Sequence, residues 1–112
     1  MALGPHHLFL NDAAKGEVKI ELLTLKKADI IIRTLNHQLR VEMIKLLMEK
    51  DELTVTEIYD KLHLEQSVAS QHLSMMRRAG IVTTRRTGKF IWYSVNTARI
   101  IEIFDFAKKM VR

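Results

Sequence analysis

The side chains of this chain best suited to chemistry lie between Gln66 and Lys89, and the chemistry they suit is recognition of a polyanion. They are Gln66, Ser67, Ser70, Gln71, Ser74, Arg78, Arg85, Arg86 and Lys89. With Arg77, the segment holds five basic residues and no Asp or Glu, a formal charge of +5 that equals the net charge of the whole chain. The other 13 basic residues are offset by 13 acidic ones. Such a concentration attracts a polyanion by charge neutralisation and counterion release. A solvated positive face without a partner would have the same count, so charge alone leaves both readings open.

Spacing divides the segment. In SVASQHLSMMRRA, Ala69, Leu73 and Met76 recur at i, i+4, i+7 and predict an inward face. Ser67, Ser70, Gln71, Ser74 and Arg78 then fall on the outward face, uncharged near the helix start and basic near its end. Short hydroxyls let a backbone approach a DNA groove closely, and Gln71 can pair with adenine through two hydrogen bonds. The N-terminal end of a helix also favours phosphate. An ordinary amphipathic surface helix is the competing reading, but such helices are usually richer in Glu and Lys.

Other chemistries find little support. There is no cysteine, which removes disulfides, thiol catalysis and cysteine-based metal sites. His6, His7, His37, His63 and His72 form no HExxH spacing. No paired acid and base, nucleophile or phosphate loop stands out. The expectation is therefore no enzyme, no catalytic residue, no metal and no cofactor.

The elements that must position these residues follow from periodicity. The 112 residues, 47% apolar and 28% charged, suit one globular domain. Residues 1–15 show no clear period and read as a flexible N-terminal arm. Residues 16–112 read as a single domain. A broadly apolar helix is predicted from Glu17 to about Leu35, and a second from His37 to Lys50, capped by Asn36. Leu53-Thr54-Val55 is a short extended piece, and Thr56 would cap a helix ending at Leu62. The helix from Ser67 to Ala79 is stopped by Gly80. Ile81–Arg86 and Phe90–Val95 are rich in β-branched and aromatic residues around a Thr-Gly-Lys turn, a β-hairpin. Asn96 or Thr97 caps a last helix to about Val111, apolar beyond one stripe. The fold class is thus mainly α with a small β-hairpin, a winged helix-turn-helix in the order α-α-(β)-α-α-β-β-α. No apolar run approaches the roughly 18 residues of a membrane span, and no secretory signal is visible, so the expected location is cytoplasmic.

The stretch LEQSVASQHLSMMRRAGIVTTRRTGKFIWYSV resembles the core of the ArsR/SmtB family of winged-helix repressors. The matching positions are Gln66-Ser67, Ser70, His72-Leu73, Met76-Arg77, Ala79-Gly80 and Ile81-Val82, then Arg85-Arg86, Gly88-Lys89 and Trp92-Tyr93 in the wing. Upstream, Asn36-His37-Gln38-Leu39-Arg40 stands where the family has a "DPTR" type of sequence, without its proline. The resemblance spans roughly residues 35–95. It implies that Gln66, Ser67, Ser70 and Gln71 contact bases or nearby phosphates and that Arg85, Arg86 and Lys89 hold the DNA backbone. His72, between the two stripes, has a structural hydrogen bond as its competing role, and Arg77 and Arg78 are divided between DNA contact and compensation of the helix C-terminus.

The family's metal sites do not carry over. Where relatives place paired cysteines, this chain has Glu57-Ile58-Tyr59-Asp60-Lys61. Where others place Asp and His on the last helix, it offers only Glu102 and Asp105, a poor transition-metal set better read as salt-bridged or solvated. The expectation is a homodimeric, sequence-specific DNA-binding regulator, a repressor on an inverted repeat, paired through helices at about 17–35 and 97–111. A winged-helix module that binds protein and not DNA is the alternative.

Overall fold

The computed structural model describes residues 6–112. The chain forms two units divided after Ile31, each described by itself.

The first unit opens with a hairpin of β1 (His7–Asp12) and β2 (Gly16–Glu21), antiparallel from His7↔Glu21 to Asp12↔Gly16. Its turn is set by Asp12, whose Oδ2 accepts the backbone N–H of Ala14 and of Lys15 at 3.1 and 2.9 Å. Gly16 takes a left-handed φ of 75° that a side chain would resist. This corrects two expectations. Residues 7–15 are not an irregular arm, while residues 1–5 lie outside the described residues. The first helix, α1 (Leu22–Leu35), begins five residues later than expected from Glu17. The cause is local: in Gly-Glu-Val-Lys-Ile-Glu, Val18 and Ile20 alternate with charges at the period of a strand.

The second unit takes up the end of α1 and continues with α2 (Gln38–Lys50), β3 (Leu53–Thr54), α3 (Val55–Leu62), α4 (Gln66–Arg78), β4 (Val82–Thr87), β5 (Phe90–Val95) and α5 (Thr97–Met110). β3, β5 and β4 form a three-stranded antiparallel sheet in that order. The fold is helix-dominated with a β-hairpin, a winged helix-turn-helix. Met43 and Leu47 of α2, Ile58 of α3, Ala69, Leu73 and Met76 of α4, and Ile81 and Val82 are its fully buried centre. Ala69, Leu73 and Met76 thus face inward as their spacing predicts.

Two caps differ from expectation. His37, rather than Asn36, caps α2, its Nδ1 accepting the N–H of Leu39 at 3.2 Å. Thr54, rather than Thr56, caps α3. Its Oγ1 accepts from Glu57 N–H while Glu57 Oε1 accepts from Thr54 N–H, a reciprocal capping box. At the start of α5, Asn96, one of the two residues expected there, is the cap, accepting from Arg99 N–H.

Candidate nucleic-acid interface

α3 and α4 are joined by His63-Leu64-Glu65. His63 adopts a left-handed φ of 55°, its N–H turned to the carbonyls of Asp60 and Tyr59, which ends α3 within one residue. Leu64 N–H also returns to Tyr59 O at 2.9 Å. The tight turn sets α4 across α3, with Ile58 and Leu73 both buried in the shared core. Burial of three apolar residues fixes the rotation of α4, because each would lose transfer energy if turned outward. The opposite stripe is then outward by necessity. Gln66, Ser67, Ser70, Gln71, Ser74 and Arg78 are all exposed. No side chain caps the N-terminus of α4.

The C-terminal end of α4 is closed by backbone. Gly80, at φ 78°, lets its own N–H reach Arg77 O and that of Ile81 reach Met76 O. Arg99 of α5 donates from Nε to Ala79 O at 3.1 Å and from Nη1 to Glu102 Oε1 at 2.6 Å. The carbonyl end of α4 is therefore served by Arg99, and Arg77 and Arg78 remain on the exposed surface. Asp105 pairs with Lys108 at 3.6 Å, so both carboxylates of α5 that spacing had brought together are engaged with cations.

A second restraint on α4 comes from Arg40, which sequence reasoning noted only as part of a motif. Its side chain is 8% exposed. Nε donates to His72 Nδ1 at 3.1 Å, Nη1 to the carbonyls of Arg33 and Thr34 at 3.3 and 3.2 Å, and Nη2 to Met75 Sδ at 3.0 Å. One guanidinium thus caps the end of α1 and grips α4 through His72 and Met75, on the flank of the exposed stripe. His72 is an acceptor here, and burial, then the Arg40 charge and His37, lower its pKa below the usual histidine value. Its ring centroid lies 5.1 Å from that of His37. The structural role of His72 is the one realised.

The wing is the β4–β5 ribbon. Thr87 pairs with Phe90, leaving Gly88-Lys89 as a two-residue turn with positive φ at Gly88, the demand of a type II′ hairpin. Pleating separates the two arginines. Arg86 stands opposite Ile91, and Arg85 stands opposite Trp92 on the other face. Arg85 is engaged there: Nη2 and Nε donate to Glu52 Oε1 and Oε2 at 2.6 and 3.4 Å, and Nη1 to Thr87 Oγ1. The guanidinium carbon lies 5.8 Å from the Trp92 ring centroid. The hydrogen bond to Glu52 raises the Arg85 pKa further. Arg85 is therefore exposed but paired, whereas Arg86 and Lys89 are exposed with no carboxylate partner among the described residues. Glu52 was missed by sequence reasoning; it lies 33 residues from Arg85, and no local spacing marks it.

Comparison with known proteins agrees with this geometry. The family model for bacterial regulatory proteins of the arsR family matches residues 37–84, from the cap of α2 into β4. The chain is 34% identical over 82 residues to the transcriptional repressor PagR of Bacillus anthracis, covering 73% of this chain and 82% of PagR. It is 27% identical over 84 residues to the transcriptional activator HlyU of Vibrio cholerae, covering 75% and 77%. The crystal structure of PagR matches with a TM-score of 0.61 at 31% identity, over 78% of this chain and 99% of that one. HlyU matches with a TM-score of 0.59 at 28% identity, over 80% and 97%. The chain belongs to the ArsR family of winged-helix DNA-binding transcriptional regulators.

Proposed function

We propose that this regulator works as a homodimeric repressor that reads an inverted-repeat operator with α4 and grips the flanking backbone with its wing. The observation that carries the reading is the acid-free exposed stripe of α4. Gln66, Ser67, Ser70 and Gln71 are the readers, with Ser74 and Arg78 extending the contact along the helix. The uncapped start of α4 leaves backbone donors for a phosphate. Arg86 and Lys89 are the clamps, with Arg85 as a reserve cation held by Glu52.

DNA binding and dimerisation both lie within residues 16–112. A second copy is needed because one helix reads too few base pairs, and two-fold pairing puts two recognition helices in successive major grooves about 34–36 Å apart. The helices assigned to pairing are α1 and α5, each through apolar residues of its own. Leu22, Leu23, Leu25 and Ile30 of α1 are exposed, as are Ile101, Phe104, Phe106 and Met110 of α5. Monomeric proteins rarely leave such apolar surface open. Among the described residues no helix is long and apolar enough to cross a membrane, and the site of action is the cytoplasm. Repression needs occupancy alone, since a dimer seated on an operator excludes polymerase without any further contact surface.

The test is an anisotropy titration against duplexes selected from a random pool. Gln71→Ala should relax sequence preference at about 1–3 kcal/mol for the base it pairs. Arg86→Ala and Lys89→Ala should each weaken binding to every duplex and reduce the salt slope by about 0.9 per protomer engaged, about 1.8 for the dimer. Unchanged isotherms for all three variants would refute the assignment, and the absence of salt-sensitive binding would favour a protein-binding role.

A further inference from the structure

Phe90 is 52% exposed at the apex of the wing, the first residue after the turn. The next three residues of β5 are half-buried. β3 supports the ribbon only at Tyr93 and Trp92, so the end bearing Phe90 projects beyond the third strand. Its surroundings are cationic and polar. Lys89 Nζ lies 5.8 Å from the ring centroid, Thr87 is its cross-strand partner, and Arg86 stands on the opposite face of the ribbon. No carboxylate is paired with Lys89 or Arg86 among the described residues. An exposed aromatic ring with a lysine over it and an unpaired arginine on the other face of the same ribbon is matched to one kind of surface. Phosphates neutralise the cations, and an apolar crevice between base pairs takes the ring.

From this we infer that Phe90 is a DNA wedge: when Lys89 and Arg86 seat on the phosphates beside a minor groove, the ring enters between two base pairs, partly unstacks them and bends the duplex. The inference rests on the DNA-binding reading above and adds a positioning contact to it. Apolar side chains used in this way kink DNA by about 20–90°. The ring would choose steps that unstack easily, pyrimidine–purine steps and TA above all, so the wing confers a preference without hydrogen-bonding to any base. The contact lies outside the bases read by α4, at the flanks of each half-site.

The experiment uses the full chain and two duplexes of about 30 base pairs, labelled at their ends with a donor and an acceptor dye. One carries a TA step every few base pairs, and in the other each TA is replaced by AA. Wild type should draw the dye ends together on the first duplex and bind it about tenfold more tightly than the second, the scale of one aromatic–base contact. Phe90→Ala should lose the bend and the preference while keeping the salt slope set by Lys89 and Arg86. Phe90→Leu, still an apolar wedge, should keep most of both. The inference is overturned if Phe90→Ala bends and discriminates as wild type does, or if wild type binds both duplexes without bending. If wild type shows no salt-sensitive binding to either duplex, the DNA-binding reading falls, and the wedge with it.

Discussion

Glu52→Gln should make this protein bind DNA more tightly. The side chain removed is an acid on the wing's flank, and its only described partner is Arg85, at 2.6 Å from Nη2 and 3.4 Å from Nε. Both members are largely exposed, and exposed pairs of this kind add little to folding. The melting temperature should therefore barely move. DNA binding should change for two reasons: a negative charge beside the phosphate track disappears, and Arg85 becomes free to neutralise a phosphate of its own. One additional phosphate contact in each protomer of the dimer steepens the dependence of log K on log salt by about 1.8, twice the roughly 0.9 of a single contact. A steeper slope of that size makes the gain over wild type at 50 mM salt about 12-fold larger than the gain at 200 mM, since the fourfold salt change is raised to that power. Anisotropy titrations at four or five salt concentrations measure both slopes. Glu49→Gln is the control, because Glu49 pairs with Lys50 on α2 at 3.8 Å and contacts no wing cation. Equal slopes for wild type and Glu52→Gln would refute the reasoning, since Arg85 would then already reach DNA by abandoning Glu52. Equal gains from the two variants would reduce the effect to general loss of negative charge.

His72 supplies a pH prediction. Its folded pKa lies below the unfolded value of 6.5, so below that pH the unfolded chain binds more protons than the folded one, and stability falls as pH drops from 6.5 through the lowered folded value. Thermal unfolding between pH 7.5 and 5 should show this loss in wild type and less of it in His72→Asn, whose Oδ1 can still accept from Arg40; parallel profiles would count against the Arg40–His72 contact. Gly80→Ala places a Cβ at φ 78°, 3.4 Å from Arg99 Nε, and should cost about 1–2 kcal/mol, lowering the melting temperature by about 4–8 °C per kcal/mol for a unit of this size. An unchanged melting temperature would mean that α4 does not end as described.

What could be read from the sequence was periodic or local. Ala69, Leu73 and Met76 announce the buried face of α4 because one helical period contains them, and the exposed stripe follows by exclusion. Gly80 and Gly88 mark their turns because both need positive φ. The reciprocal cap at Thr54 and Glu57 was also legible as Thr-x-x-Glu, although Thr56 is the residue first suggested by its place before an apolar run. The N-terminal hairpin was harder. Val18 and Ile20 fit the apolar face of a strand and the broad apolar girth of a helix equally well, and what decides is pairing with Leu10 and Leu8 across a turn fixed by Asp12. The two contacts that refine the site are longer in range. Arg40 to His72 and Arg85 to Glu52 span 32 and 33 residues, and only the folded chain brings such partners together.

Those long-range contacts change what the basic segment is worth. Counting letters gives five cations between Gln66 and Lys89. The fold gives one of them, Arg85, an acidic partner, and leaves Arg77, Arg78, Arg86 and Lys89 exposed without one among the described residues. Arg40 and Arg99, outside the segment, are spent on the two ends of the frame: one caps α1 and grips the flank of α4, the other closes the C-terminus of α4. The division has a consequence in solution. Four free cations per protomer, in a dimer, neutralise up to about eight phosphates, which sets the limit of the salt slope near −7; five per protomer would set it near −9. A wild-type slope steeper than −7 would mean that Arg85 leaves Glu52 on DNA, and it would also remove the gain expected from Glu52→Gln. The two measurements must therefore agree: a wild type at or below the four-cation limit requires the Glu52→Gln slope to be steeper by one contact per protomer engaged, and a wild type at the five-cation limit requires it to be unchanged.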